Sequence, residues 1–180
     1  MNDITGNVRA ILESIEGSPL PERLVETPKR VQRAYEELFE GYNTDIPSLF
    51  KSFDGEGDDQ LVIAKDIPFS STCEHHLLSF GGFVSVAYLP NKRVIGASKL
   101  PRIVLAYSHR LQLQERIAEQ VANVIMKFLE PKGVAVIIKG KHDCITCRGI
   151  KSDCEFVNSI MLGVFRDVPT LRAEVLSLLR

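Results

Sequence analysis

The sequence lacks an excess of either charge, and this excludes functions that depend on overall charge. Its 180 residues contain 22 lysines and arginines and 23 acidic residues, which leaves a net charge of −1. A protein that holds nucleic acid or an anionic membrane by its overall charge would be strongly basic. We therefore expect neither partner, and any site for an anion must come from a local cluster of basic side chains.

Long apolar runs, internal repeats and low-complexity tracts are also missing. No segment approaches the roughly 18 apolar residues that cross a membrane. The segment 1–17 carries acidic residues early and no apolar stretch, unlike a signal peptide. We therefore expect a cytoplasmic protein. Its length predicts one ordinary domain, with room for a helical extension.

Cysteine and histidine are scarce, with four of each, and most of them fall in two short segments. These segments are SSTCEHHLLSF (70–80) and HDCITCRG (142–149). In a reducing cytoplasm, cysteines are more often ligands, reactive groups or buried side chains than disulfides. The chemically interesting members are Cys73, His75, His76, His142, Cys144 and Cys147.

The order of predicted elements indicates an α+β fold with a mostly antiparallel sheet. Helical periodicity predicts helices at 3–16, from Thr27 to Gly41, and at 98–110, 112–130 and 169–180. Thr27 is the expected N-cap of the second helix, with Pro28 at its first position. Strands are predicted at 61–67, 81–90, 93–97, 133–141 and 157–165. The polar stretch 51–60 is the expected loop that divides a helical extension, 1–50, from the main body, 51–180.

Both segments follow predicted strands, so neighbouring strands could bring them to one metal ion. Zinc takes four thiolate or imidazole ligands in structural sites, and three plus a water in catalytic sites. A closed site would use Cys73, His76, Cys144 and Cys147. An open site would omit Cys147 and leave His75 and His142 free for acid–base work. Spacing alone does not decide between them, and a third alternative is packed histidines with no metal.

The motifs resemble those of GTP cyclohydrolase I, the zinc enzyme family that opens the purine ring of GTP on the way to folate and other pterins. The resemblance runs from about Glu26 to the C-terminus. It is carried by ETPKRV (26–31), IPFSSTCEHHLL (67–78), GASKLPRIV (96–104), RLQLQERI (110–117), HDCITCRG (142–149) and MLGVF (161–165). The whole set in this order is far more specific than any single motif.

The resemblance implies an open, catalytic site with one zinc ion per subunit. Its ligands would be Cys73, His76 and Cys144, and Cys147 would be a bystander. His75 and His142 match the acid–base histidines of the family. The implied reaction releases formate and ends at 7,8-dihydroneopterin triphosphate, the first step of tetrahydrofolate and pterin synthesis.

The substrate contacts are also implied only by the resemblance. Without it, these residues would be interpreted as exposed side chains on helix surfaces. For the triphosphate it implies Ser98, Lys99, Arg102 and Arg148, with Arg30 donated by a neighbouring subunit. A helix N-terminus such as that at Ser98 favours anions. Glu115 would read the guanine edge by accepting two hydrogen bonds, with Gln114 beside it as a further substrate contact.

Fold and assembly are implied in the same way. The family has the tunnelling fold, an antiparallel sheet with two helices on one face, here preceded by an N-terminal helical part. Five chains close a ring, two rings form a decamer, and active sites lie between subunits. GTP and other copies of the chain are thus the expected partners.

Some positions depart from the family pattern. Ser79 replaces a proline, Ala97 a larger apolar residue, and Asp143 an apolar or aromatic residue; the segment 151–159 lacks the expected threonines. Asp143 could raise the pKa of His142 if its carboxylate points that way. These changes leave open two alternatives. One is a paralogue acting on a related purine or pterin in a deazapurine pathway, and the other is a non-catalytic zinc- or nucleotide-binding subunit.

Overall fold

The computed structural model describes residues 1–55 and 60–179, which form two compact units, Met1–Glu40 and Gly41–Arg180. The second unit thus begins upstream of residue 51, where the sequence predicted the division. The predicted loop 51–60 contains a short strand, and its residues 56–59 lie outside the described residues.

The first unit is a pair of helices, α1 (Thr5–Glu16) and α2 (Thr27–Leu38). The backbone N–H of Ile4 donates to Oε1 of Gln32 at 2.9 Å and ties the start of α1 to α2. The predicted capping role of Thr27 is wrong. Thr27 is itself helical, Glu26 occupies the cap position, and no side chain caps the helix.

The second unit contains the main sheet. Its strands are β1 (Ser52–Asp54), β2 (Val62–Cys73), β3 (Ser79–Leu89), β4 (Arg93–Ile95), β5 (Leu111–Gln112), β6 (Gly133–His142) and β7 (Phe156–Gly163). Five of them form a sheet in the order β5-β2-β3-β6-β7, antiparallel except for the short pairing of β5 with β2. Strands β1 and β4 form a separate antiparallel pair. The predicted α+β class with an antiparallel sheet is confirmed.

The helices of this unit are α3 (Lys99–Ser108), α4 (Gln114–Leu129), α5 (Asp143–Thr146), α6 (Val164–Asp167) and α7 (Pro169–Leu179), with a 3-10 turn at Pro47–Leu49. Helices α3 and α4 cover one face of the sheet, where Val84, Val86 and Tyr88 are fully buried. Helices α6 and α7 pack near Ala87 on the opposite face. Among the described residues, no helix has the length and apolar character needed to span a membrane.

Strand β2 extends beyond its predicted end at residue 67 and reaches Cys73. A bulge lies between Ala64 and Ile67, with Asp66 at φ +55°. It breaks the alternation of inward and outward side chains that predicts a strand. Helix α4 likewise begins two positions after its predicted start, because Gln112 belongs to β5 and pairs with Cys73. Both differences lie beside the first cysteine–histidine segment.

Strand pairing brings the two cysteine–histidine segments to one end of the sheet. Strand β2 ends at Cys73, and β3 begins immediately after the connecting turn. Phe80 of β3 lies opposite His142, the last residue of β6. Helix α5, which carries Cys144, follows at once.

Candidate active site

Three predicted ligands converge at this end of the sheet. The ligand atoms of Cys73, His76 and Cys144 all lie within 4.8 Å of one another, and Sγ of Cys73 is 3.6 Å from Nδ1 of His76. Cys73 is buried, Cys144 is half-buried and His76 is exposed. Within residues 1–55 and 60–179, no other such group of metal-binding side chains occurs.

The turn between β2 and β3 aims Cys73 and His76 at the same point. We call residues 74–77 the ligand turn. The N–H of Leu77 donates to the carbonyl of Cys73 at 2.9 Å, and the N–H of Cys73 donates to that of Leu78 at 2.8 Å. Leu77 adopts φ +55°, a left-handed conformation that reverses the chain within this short turn.

The chemistry of the three side chains suits a divalent transition metal. Two sulfur atoms and one imidazole nitrogen are the soft and borderline ligands that zinc prefers. Burial raises the pKa of the Cys144 thiol, and the neighbouring Cys73 raises it further. Two adjacent thiolates therefore need a compensating cation, which a metal ion at this point would supply.

Cys147 lies outside this group. It is exposed and follows the last residue of α5, whose start carries Cys144. The described residues thus offer three ligands and leave a fourth direction without one. This geometry favours the open alternative over the closed four-ligand site.

His142 lies beside the ligand group in a largely aromatic setting. Its ring stacks on Phe80 with centroids 4.6 Å apart and an interplanar angle of 5°, and it meets the edge of Phe156 at 5.4 Å. Burial lowers the pKa of the imidazole, while Glu115 and Asp143 act more weakly in the opposite direction. Asp143 thus pulls the pKa as expected, but the net direction is downward.

Gln114 holds the His142 ring. Its buried amide nitrogen donates to Oδ1 of Asn158 at 2.8 Å and to the carbonyl of Phe156 at 2.9 Å. Its Oε1 is therefore the acceptor that faces Nε2 of His142 at 3.0 Å. It follows that Nε2 of His142 carries a hydrogen and that Nδ1 is the nitrogen left for other work.

His75, the second predicted acid–base residue, is exposed on the ligand turn. Its Nε2 lies 3.9 Å from a carboxylate oxygen of Glu74. Glu74 in turn makes two contacts with the guanidinium of Arg116, at 2.5 and 3.0 Å. This hydrogen-bonded ion pair lowers the pKa of Glu74 and keeps its carboxylate ionised.

A small cavity of about 180 Å³ opens beside His142. Its lining residues are Gln114, Glu115, His142, Ile145, Phe156 and Asn158. It is smaller than the roughly 300–1,000 Å³ that encloses a whole small-molecule ligand. The exposed carboxylate of Glu115 lies at its wall.

The predicted triphosphate contacts do not all lie at this end of the sheet. Ser98 occupies the cap position of α3 without a capping hydrogen bond, and Lys99 is the first helical residue. The opposite end of α3 adjoins the site, because Oγ of Ser71 donates to the carbonyl of Ser108 at 2.6 Å. At 1.5 Å per residue, the start of α3 lies about 15 Å along the helix from that end.

The remaining predicted contacts differ from one another in position. Arg102 is exposed in the first turn of α3, with Ser98 and Lys99. Arg148 is exposed just after α5 and lowers the pKa of Cys144, so it lies close to the ligand group. Arg30 is exposed on α2, in the first unit.

Sequence reasoning missed several residues that shape the site. Asn158 lies in the segment noted only for its departure from the family pattern, and Phe80 was given no role, as the last residue of the first cysteine–histidine segment. The pairing of Glu74 with Arg116 left no signal in spacing, because the two are distant along the chain. The departures Ser79 and Asp143 are linked, since the hydroxyl of Ser79 donates to the carboxylate of Asp143.

Comparison with known proteins agrees with this geometry. A protein-family model described as GTP cyclohydrolase I matches residues 4–180. The GTP cyclohydrolase 1 of Thermoanaerobacter pseudethanolicus is 48% identical over 174 residues, covering 96% of this chain and 93% of that protein. The GTP cyclohydrolase 1 of Coxiella burnetii is 46% identical over 181 residues, covering 99% and 98%.

A solved structure shows a partial likeness. It is the apo form of an archaeosine synthase QueF-Like protein, 26% identical, with a TM-score of 0.42. The similarity covers 55% of this chain and 91% of that one.

Proposed function

The chain belongs to the GTP cyclohydrolase I family, and we propose that it is a zinc enzyme whose metal is held by Cys73, His76 and Cys144. The observation that carries the proposal is the convergence of these three side chains, from two distant segments, to within 4.8 Å. The near-complete coverage of the curated relatives supports the same activity. Iron or manganese could occupy the same ligands, but two thiolates and an imidazole fit zinc best.

Zinc bound there would supply the Lewis acidity that makes water nucleophilic near neutral pH, for attack on carbon 8 of the guanine ring. The remaining work falls to side chains of the chain itself. His142 is held by Gln114 through Nε2, so its Nδ1 is available to exchange a proton with the purine. His75 is exposed on the ligand turn and would serve as the second acid–base group.

Guanine would enter the cavity beside His142. The carboxylate of Glu115 borders it and could accept hydrogen bonds from a ring N–H and the exocyclic amine, which adenine does not offer together. Phe156 at the wall offers an apolar surface for the ring. Gln114 also borders the cavity, but its amide is already bonded within the protein. Gln114 would therefore affect the substrate mainly through its contact with His142.

The triphosphate would bind to Ser98, Lys99, Arg102 and Arg148, with Arg30 from another chain. The start of α3 lies about 15 Å beyond the end that adjoins the ligand group. We therefore propose that the start of α3 in a second copy of the chain supplies these contacts, in agreement with active sites between subunits. We propose the decamer of two five-membered rings implied by the family, working in the cytoplasm without nucleic acid or membrane.

The product would be 7,8-dihydroneopterin triphosphate, made with release of formate at the start of tetrahydrofolate and pterin synthesis. The departures from the family pattern give the other two alternatives little support. Ser79 and Asp143 bond to each other and leave the three candidate ligands in place. The curated relatives share the GTP cyclohydrolase name over nearly their whole length.

The test is incubation of the zinc-loaded protein with GTP, following formate release and the fluorescence of the oxidised pterin. We expect both signals, and we expect His142→Ala to lower both by at least about a hundredfold, the usual contribution of general acid–base catalysis. Formate without pterin would mean ring opening without closure. Neither signal, with zinc bound and GTP at high concentration, would contradict the proposal.

The open ligand set has its own test, the zinc content of two cysteine variants. Cys144→Ser should lose zinc, because it removes one of three ligands. Cys147→Ser should keep one zinc per chain and its thermal midpoint, because Cys147 lies outside the group. A closed Cys₃His site would instead lose zinc and unfold in both variants.

A further inference from the structure

A two-pronged ion pair joins the ligand turn to helix α4. Nη1 of Arg116 lies 2.5 Å from Oε2 of Glu74, and Nη2 lies 3.0 Å from Oε1. Two parallel N–H···O bonds fix the orientation of both side chains as well as their separation. The side chains retain 39% and 29% of their exposure. A pair this exposed contributes little to overall stability, so its importance must lie in what it positions.

The arginine lies in the one helical turn that also carries two other site residues. Gln114, Glu115 and Arg116 open α4 in succession. Successive helical residues point about 100° apart, so the three side chains reach different targets. Gln114 contacts His142, Glu115 borders the cavity, and Arg116 binds Glu74 of the ligand turn.

Glu74, the partner of Arg116, lies in the ligand turn between a candidate metal ligand and a predicted acid–base residue. Glu74 follows Cys73 directly, and one of its carboxylate oxygens is 3.9 Å from Nε2 of His75. Its backbone N–H also donates to the carbonyl of Gln112 at 3.2 Å, which ties the start of the ligand turn to β5. The side-chain fork adds a second attachment, from the same residue of the ligand turn to helix α4.

We propose that Glu74 and Arg116 are positioning residues, which set the distance between the metal ligands and the base-binding end of α4. Neither belongs to the ligand group or lines the cavity beside His142. The proposal rests on the proposed function, because that function requires Glu115 and the metal to act on the same purine. The ion pair would hold His76 and Glu115 at the separation that the guanine ring requires.

The test is a double-variant cycle with Arg116→Gln, Glu74→Gln and the pair together, with Arg116→Lys as the conservative change. Arg166→Gln is the matched control, since Arg166 is exposed and pairs with Asp167 at 3.2 Å on α6. For each zinc-loaded variant we would measure kcat, KM for GTP, the thermal midpoint and the half-time of zinc loss to a chelator.

We expect each single substitution to lower kcat and to speed zinc loss by about tenfold or more, as removal of outer supports of a metal site does. KM should change little, and the thermal midpoint should move by no more than about 4 °C. The double variant should lose no more kcat and no more zinc than either single variant, because each single substitution already removes the same interaction. Arg116→Lys should recover part of kcat, since an ammonium pairs with only one prong. Arg166→Gln should match the wild type.

The proposal would be overturned if Arg116→Gln had the same kcat and the same half-time of zinc loss as the wild type. Losses that add fully in the double variant would also overturn it, because the residues would then act separately. If the wild-type protein turns over no GTP, the proposed function fails. The zinc-loss half-times still decide whether the pair holds the ligand turn.

Discussion

The orientation of one amide decides which nitrogen of His142 is available for chemistry. Gln114 is buried, and an amide can present either its oxygen or its nitrogen to a neighbour. Oδ1 of Asn158 and the carbonyl of Phe156 take both amide hydrogens, so the oxygen must face His142. At the scale of single residues, the position of the proton on the His142 imidazole is thus set by Asn158, two side chains away.

Asn158→Ala tests this chain of hydrogen bonds. The substitution leaves one hydrogen of the Gln114 amide without its acceptor, which costs about 1–3 kcal/mol of folding free energy when buried. It also removes one of the two acceptors that keep the amide oxygen toward His142, and the carbonyl of Phe156 remains as the other. We expect kcat to fall about tenfold or more, measured with the thermal midpoint on the same zinc-loaded samples.

Two variants on the same strand separate orientation from general damage. Asn158→Asp keeps an acceptor oxygen in place and should retain more activity than the alanine variant. Ser159→Ala changes the exposed neighbour and should behave as the wild type. Equal loss in the alanine and aspartate variants would count against the orienting role of Asn158.

At the scale of elements, strand β6 positions His142 by close packing as well as by pairing. Gly140 lies two residues before His142, directly against Gln114. A Cβ at position 140 would lie 2.6 Å from Oε1 of Gln114 and 3.2 Å from the carbonyl of Gly81. The strand can therefore hold Gln114 against His142 only because residue 140 has no side chain.

Gly140→Ala should displace the Gln114 amide and lower kcat more than it lowers the thermal midpoint. The amide is the end of a flexible side chain and can move aside, whereas the backbone of the sheet cannot. Gly6→Ala is the matched control, because its Cβ would meet no atom within 4 Å and alanine favours the helix. A variant at position 140 with normal kcat would show that the amide position does not matter.

The same elements show what sequence could and could not predict. Periodicity located β3, β6 and α4, because each has a clear apolar pattern over many residues. It ended β2 too early, since the bulge at Asp66 breaks that pattern, and it took Gln112 as helical when it pairs with Cys73. Local pattern carries no information on such pairings.

The candidate site was predictable in its residue types but not in its geometry. The clustering of scarce cysteines and histidines indicated a metal, and the family resemblance implied which three would bind it. The register that sets Phe80 opposite His142 joins strands separated by two helices. The amide network and the ion pair of the ligand turn also join residues that are far apart in the chain, so they were visible only in the structure.

At the scale of the whole molecule, the proposed site is divided between the two ends of helix α3. The ligand group adjoins the end of α3, where Ser71 contacts Ser108. Lys99 and Arg102 lie at the other end of this helix of 10 residues. GTP bound at the metal of one chain would therefore extend its triphosphate toward the α3 start of another.

Subunit mixing tests this division. His142→Ala should inactivate the metal side of a site, and Arg102→Ala should raise KM for GTP strongly by weakening the triphosphate side. When the two variants are co-expressed and assemble at random, about one quarter of interfacial sites would receive both intact halves. We expect kcat/KM to recover to about that fraction of the wild-type value, although neither parent variant reaches it.

Assemblies purified separately and mixed only in the assay provide the control. If the co-expressed assemblies are no more active than this control, the two residues act within a single chain, or Arg102 does not bind the triphosphate.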